Sequence, residues 1–376
     1  MEFILYLLLI LLFTKLAGDL SVRLGQPAVL GKLITGILLG PAVLGWVQEG
    51  DFIHYMSEIG VLLLMFIAGL ETDLAQLRQN WKSAFAVAIG GILLPFAGGF
   101  AVGEWFGFAY HNALFLGVIL SATSVSISVQ VLKEMNRLNS PEGSTILGAA
   151  VVDDILVVVL LAVLMSFFGT GAEVSISLLI GKKLLFFAVA VLAAWLVVPR
   201  VMRWLVPLRV TEAVISAALV ILFAYAYFAE LMGMAGIIGA FAAGIAIART
   251  PFKHEVESKV EPIAYSLFVP VFFVSIGLSV SFKGLGSHIG FVAAVSLVAI
   301  LAKWLGGGTG ARLTGFNNRS SLVIGAGMIS RGEVALIIAA TGLSSGLLLP
   351  EYFTGVIIAV IITTLATPPL LKGLFR

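Results

Sequence analysis

The sequence predicts an all-α integral membrane protein of thirteen transmembrane helices: two inverted six-helix repeats joined by a linker helix, with two broken helices crossing at mid-membrane. Three observations carry this. The 376 residues are 60% hydrophobic and only 11% charged, where soluble domains carry roughly 25% charged residues. Mean hydropathy is +1.12. Long apolar runs alternate with short polar breaks instead of alternating residue by residue, which selects helices over barrel strands because a lipid-exposed segment must satisfy its own backbone.

The predicted spans are 3–24, 27–46, 54–72, 82–103, 112–132, 143–169, 175–199, 211–230, 234–249, 260–280, 288–312, 319–345 and 351–371. The first lacks a basic leading region and a small-residue cleavage site, and carries Lys15, Asp19 and Arg23 near its end, so it is expected to remain in the mature protein. A net charge of +2 gives no field for nucleic acid. The absence of cysteine excludes thiolate metal sites and cysteine catalysis. His54, His111, His254 and His288 are too scattered to mark a metal site, and no cofactor motif is present.

Lys and Arg accumulate on the cytoplasmic side. With the N-terminus outside, Arg23, Arg78, Lys82, Lys133, Arg137, Arg200, Arg203, Arg209, Arg249, Lys253, Lys259, Arg312, Arg319, Lys372 and Arg376 face the cytoplasm, against Lys283 outside. The C-terminus is then inside. Lys182 and Lys183 fall within the seventh span, and Lys15, Lys32, Lys303 and Arg331 within other apolar spans.

One offset aligns two parts of the chain: Gly31, Gly36 and Gly69 fall on Gly239, Gly244 and Gly277, each 208 residues on (239 − 31). Spans 1–6 then repeat as 8–13 with span 7 as linker, and the odd count between equivalents makes the halves inverted, a transporter signature. On this reading 1–80 and 211–281 form a scaffold, 81–169 and 286–376 an ion-transport core, and 170–210 the linker.

Asp153 and Asp154, in GAAVVDDI, sit about 15 Å from one end of the sixth span, near the midplane. A charge there costs at least ~2.5–3.5 kcal/mol, so the pair must face a hydrated cavity or a partner. Lys303 lies at about 13 Å depth, beyond comfortable snorkelling, and needs an anion there. Asp153, Asp154 and Glu333 are its candidates. The hydroxyl-rich SATSVSISVQ includes Thr123 and Ser124, and the offset carries these onto Arg331 and Gly332 in GAGMISRGEV. Two broken helices would meet there, exposing carbonyls to a cation, with Arg331 and Glu333 compensating the half-helix dipoles. Deprotonated carboxylate oxygens at that depth would serve either a proton or a cation, and a lysine whose pKa moves with its partner can carry a proton.

Other features read as structural. Lys15, Asp19 and Arg23 suit a salt-bridge ladder, Lys32 can snorkel, Gly36, Gly40 and Gly45 suit a helix interface, and residues 253–261 read as a solvated charged loop.

With these motifs in place, the chain resembles the bacterial monovalent cation:proton antiporters, specifically the NapA-like sodium/proton branch related to the transmembrane part of the Kef proteins. LGQPAVLGKLITGILLGP (25–41), FIAGLETDL (66–74), ATSVSIS (122–128), GAAVVDDI (148–155), Lys303 with its glycines, and MISRGEVALI (328–337) carry the resemblance over almost the whole chain. It implies a homodimer in the bacterial cytoplasmic membrane that is no enzyme, exchanging Na+ or Li+ for H+ electrogenically through an elevator-like core, in sodium and pH homeostasis. It also implies Asp154 as the main ion-binding carboxylate, Lys303 paired with Asp153, and Thr123 and Ser124 in an unwound stretch. Asp153 replaces the uncharged residue of Kef relatives, and the chain ends at Arg376 without their long nucleotide-binding domain, which weighs against glutathione-gated potassium efflux. K+/H+ exchange is the alternative. From another class, an intramembrane aspartyl protease also needs two membrane carboxylates, but on separate helices with a GxGD motif, which this sequence lacks.

Overall fold

A computed structural model describes residues 2–24, 26–168, 176–280 and 288–375, the side chains of residues 74, 162, 165–168, 176, 177, 179, 180, 333 and 344 excepted. Lys283 and the first residues of the predicted linker, 170–175, lie outside the described residues. The helices are α1 (Glu2–Arg23), α2 (Ala28–Leu39), α3 (Asp51–Glu71), α4 (Leu74–Gln79), α5 (Trp81–Trp105), α6 (Tyr110–Ser121), α7 (Val125–Glu134), α8 (Pro141–Phe168), α9 (Ile176–Leu196), α10 (Val198–Leu205), α11 (Ala213–Leu231), α12 (Gly236–Ala248), α13 (Lys253–Ile263), a π-helical turn Ala264–Phe268, α14 (Val269–Leu278), α15 (Ile289–Leu313), α16 (Asn318–Gly327), α17 (Glu333–Ser344) and α18 (Pro350–Phe375). Among the described residues there is no strand, and nine helical segments, or ten when the bent α9–α10 pair is one span, are long and apolar enough to cross a membrane. Ala28–Leu39, Gly236–Ala248 and Val334–Leu343 are shorter apolar helices.

The departures from the sequence prediction have local causes. The second span ends at Leu39 rather than 46, because Gly40 and Pro41 follow and proline disfavours helix in the residue before it. Gly36 and Gly40 pack against Val274 to Leu278, whereas Gly45 is a left-handed turn residue at which a Cβ would meet nothing within 4 Å among the described residues. Residues 253–261 are helical, not a loop: Lys259 bonds Glu255 at 3.3 Å, four residues away, and Glu212 at 2.9 Å. Between α9 and α10 the axis bends by 43° at Val197, where Pro199 has no amide to continue the ladder.

The chain divides into two compact units. The first comprises Met1–Leu11, Gly50–Leu74 and Ser175–Phe273. There α3 crosses α12 at glycines, Gly69 lying on the backbone of Phe241 and Gly244 on that of Phe66. No side chain fits between them, which is why glycine occupies both positions. Lys183, 2% exposed, donates to the Gly233 carbonyl at 3.0 Å, so its ammonium ends on the exposed backbone after α11 instead of in apolar surroundings.

The second unit comprises Leu12–Glu49, Ala75–Val174 and Val274–Arg376. Its spine is α5 against α15, joined where Gly90 meets Gly306 and Gly310 meets Ala86, backbone to backbone. At one end Phe108, Phe291 and Tyr352 form an aromatic cluster with ring centroids 4.6 to 5.7 Å apart. Arg23 bonds Asp19 at 2.7 Å, part of the ladder expected on α1.

Candidate ion-binding site

Two breaks in the second unit create the site. α6 stops at Ser121 and α7 starts at Val125; α16 stops at Gly327 and α17 starts at Glu333. Each break frees carbonyls and amides that a continuous helix would pair. Here they are paired across the crossing. The Ser124 amide donates to the Ser330 carbonyl at 2.8 Å, and Ser330 Oγ donates back to the Ser124 carbonyl at 2.5 Å. Ser128 Oγ donates to the Gly327 carbonyl at 2.5 Å, and Thr364 Oγ1 of α18 donates to the Arg331 carbonyl. Gly332 is required beside Ser124, since a Cβ there would stand 2.5 Å from Ser124 Oγ.

Buried cations finish the C-terminal end of α6. Arg331 donates through Nε at 3.2 Å and Nη2 at 2.6 Å to the Leu120 carbonyl, and through Nη1 at 2.8 Å to the Ile329 carbonyl. Lys303 Nζ, from the middle of α15, donates to the Ser121 carbonyl at 2.6 Å and to Asp153 Oδ1 at 2.9 Å. Lys303, Arg331 and Asp153 are each 0% exposed. The negative end of a helix favours cations, and Asp153 supplies the anion that Lys303 needs at its depth.

Thr123 approaches the same carboxyl. Its Oγ1 and Asp153 Oδ2 are buried without a partner at hydrogen-bond geometry among the described residues. A threonine hydroxyl beside a buried carboxylate offers the oxygen ligands that an alkali cation lacking its hydration shell would seek. Asp154, next on α8, is partly exposed and lies within electrostatic reach of Lys303. The adjacent carboxylates thus have different surroundings, one buried against a lysine and one partly exposed, as their roughly 100° separation on a helix allows.

Of the residues singled out in sequence, Asp153, Lys303, Thr123, Ser124 and Arg331 come together here, with Asp154 on the adjoining face of α8. The side chain of Glu333 lies outside the described residues. Ser330 and Thr364 escaped the sequence reading. Ser330 adjoins Arg331 in a flagged motif, and the hydroxyls of Thr363, Thr364 and Thr367 in an apolar helix were the available signal for the other.

Buried, mutually bonded charges at paired helix breaks, set among spans apolar enough for a bilayer, define a multi-pass membrane transport protein. The transmembrane sodium/hydrogen exchanger family matches residues 8–375, and the chain belongs to that family. It is 60% identical over 374 residues to the Na(+)/H(+)-K(+) antiporter GerN of Bacillus cereus, covering 100% of this chain and 96% of the relative. It is 48% identical over 375 residues to a Na(+)/H(+) antiporter of Enterococcus hirae, covering 99% and 98%. Its fold matches the sodium proton antiporter MjNhaP1 of Methanocaldococcus jannaschii with a TM-score of 0.68 at 18% identity, over 99% of this chain and 97% of that one.

Proposed function

We propose that this protein is a secondary active antiporter that exchanges Na+ or Li+ for H+ at the Asp153–Asp154 site. The observation that carries this reading is the buried Lys303–Asp153 pair at the crossing, 2.9 Å apart, with Asp154 beside it. Both ions compete for the same carboxylate oxygens, so binding one releases the other. Asp154 holds the exchanged cation with Thr123 and Asp153, while Ser124 fixes the break and Arg331 and Glu333 balance the dipoles. Na+ drawing Asp153 from Lys303 leaves a buried lysine that loses its proton, giving two protons per cation and net charge movement.

A thirteen-span chain with inverted repeats is part of this reading. Supporting it, the 208-residue offset carries α5 (81–105) onto α15 (289–313) at both ends, and the starts of α2 (28), α6 (110) and α7 (125) onto those of α12 (236), α16 (318) and α17 (333). The paired glycine contacts follow it: Gly36 lies on Val274, and Gly244 on Phe66, with 36 + 208 = 244 and 66 + 208 = 274. On this reading 81–169 and 286–376 move as the core against a dimeric scaffold of 1–80 and 211–281, in the bacterial cytoplasmic membrane with the N-terminus outside and the C-terminus inside. The core falls within the second compact unit; that unit also holds Leu12–Glu49, which the reading assigns to the scaffold.

Reconstitution with imposed Na+, Li+ or K+ gradients, following internal pH and potential, tests the proposal. Proton flux driven by Na+ is expected; gradients that move no protons would sink it. K+-driven flux is the second reading, favoured by the potassium in the name of the 60% identical relative.

A further inference from the structure

Lys303 is fully buried, yet its ammonium is not fully satisfied. Nζ of a charged lysine carries three N–H donors. Among the described residues two of them have acceptors, the Ser121 carbonyl at 2.6 Å and Asp153 Oδ1 at 2.9 Å, and the third has none.

A turn of α5 beside it has the opposite defect. A Cβ on Gly91 would stand 3.6 Å from Lys303 Nζ and 3.6 Å from its Cε, so the ammonium lies against this residue with no side chain between. Pro95 follows four residues later, inside α5. Proline has no amide hydrogen, so the Gly91 carbonyl loses the donor that a helix gives each of its inner carbonyls. Gly91 and Pro95 are both buried, and a buried carbonyl without a donor costs about as much as a lost hydrogen bond.

α6 holds the two together. Ser121, whose carbonyl already takes one N–H of Lys303, donates through Oγ to the Gly117 carbonyl at 2.9 Å and the Ile92 carbonyl at 3.2 Å. The residue next to Gly91 is thus tied to the one that grips the lysine. A donor short of an acceptor and an acceptor short of a donor meet here, on a different helix from Asp153.

We propose that the Gly91 carbonyl, freed by Pro95, is a second seat for the Lys303 side chain, taken up when the cation draws Asp153 away. Gly91 and Pro95 are then positioning residues, which act through Lys303 and not on the cation. The seat keeps the displaced lysine from competing for the carboxylate, and it serves either protonation state, since ammonium and amine both carry N–H. This rests on the ion-exchange reading of the site.

Na+ affinity tests the proposal, because it can be read in variants that no longer exchange ions. Full-length protein in detergent is titrated with NaCl against choline chloride at constant ionic strength, and the rise in melting temperature gives the apparent affinity. Pro95→Ala restores the amide four residues after Gly91 and closes the seat. Hydrogen bonds to charged groups are the strong ones, so this variant is expected to bind Na+ about tenfold more weakly. In a Lys303→Met background, where no N–H needs seating, the same substitution is expected to change affinity by less than about twofold. Equal weakening in both backgrounds would make Pro95 a shaper of α5 alone and overturn the proposal, as would unchanged affinity in both. Should Pro95→Ala fail to fold, Gly91→Val replaces it, its branches entering the space beside Nζ, with the same expected results and the same two that overturn them. Wild-type protein that Na+ does not stabilise refutes the ion-exchange reading and the seat with it, whereas Na+ binding indifferent to these substitutions refutes the seat alone.

Discussion

Lys303 and Arg331, from different elements, close consecutive carbonyls of one helix end: Lys303 takes that of Ser121 and Arg331 that of Leu120. Arginine stays charged whatever its surroundings, whereas a buried lysine can lose its proton. The pair therefore combines a permanent cap with one that can leave.

This predicts redundancy in stability. Removing one buried, hydrogen-bonded charge typically costs ~3–5 kcal/mol, but here the remaining cation still holds the end of α6. Lys303→Gln and Arg331→Gln should each lower the melting temperature in detergent. The double variant should fall further than the sum, by ~1 kcal/mol or more. Strict additivity would show that the two caps act independently.

Asp154→Asn should abolish exchange, because an amide neither releases a proton nor offers charge to a cation. The variant should still fold, as Asp154 is only partly buried. Folded protein that exchanges at near wild-type rates would remove Asp154 from the site.

On the proposed exchange of two protons per cation, charge movement would depend on Lys303. At 100 mV one elementary charge is worth about 2.3 kcal/mol, so wild-type exchange should quicken or slow when a potential is clamped with valinomycin. Lys303→Gln should make exchange electroneutral or slow it severely, and Asp153→Asn should weaken its voltage dependence. A wild-type rate indifferent to the clamp would refute two protons per cation.

If α7 travels with the core while α2 stays with the scaffold, the bond from Ala28 to Glu134 breaks in every cycle. The Ala28 amide donates to the Glu134 carboxylate at 2.8 Å, so bridging Ala28→Cys and Glu134→Cys with a short bifunctional maleimide should stop turnover, whereas the Ala28→Cys single variant treated alike should run. Full turnover in protein verified as bridged would show that these helices move together.

Much of the site was legible because buried charge is expensive: Asp153, Asp154, Lys303 and Arg331 stand out in apolar runs whatever their partners. The first break was legible from its crowded hydroxyls, the second from its glycines. What escaped was pairing that hydropathy does not register. Ser330 and Thr364 look like ordinary small residues in membrane helices, and only the crossing gives their hydroxyls the Ser124 and Arg331 carbonyls. The 253–261 segment was misread because charge density resembles a loop's, although glutamate and lysine four residues apart favour helix. α10 was hidden for the opposite reason, being too short and too basic for a membrane span yet amphipathic enough to bury Val198 and Met202.

The seam between α5 and α15 limits how this protein can be strengthened. Replacing helical glycines by alanine is a routine route to stability, since it narrows the unfolded ensemble. At Gly90, Gly306 and Gly310 the added carbon would strike main chain of the facing helix, which cannot rotate aside as a side chain would. Engineering for crystallisation or heat resistance should therefore leave these positions alone and turn to Gly181 or Gly290, where a methyl group meets nothing within 4 Å among the described residues.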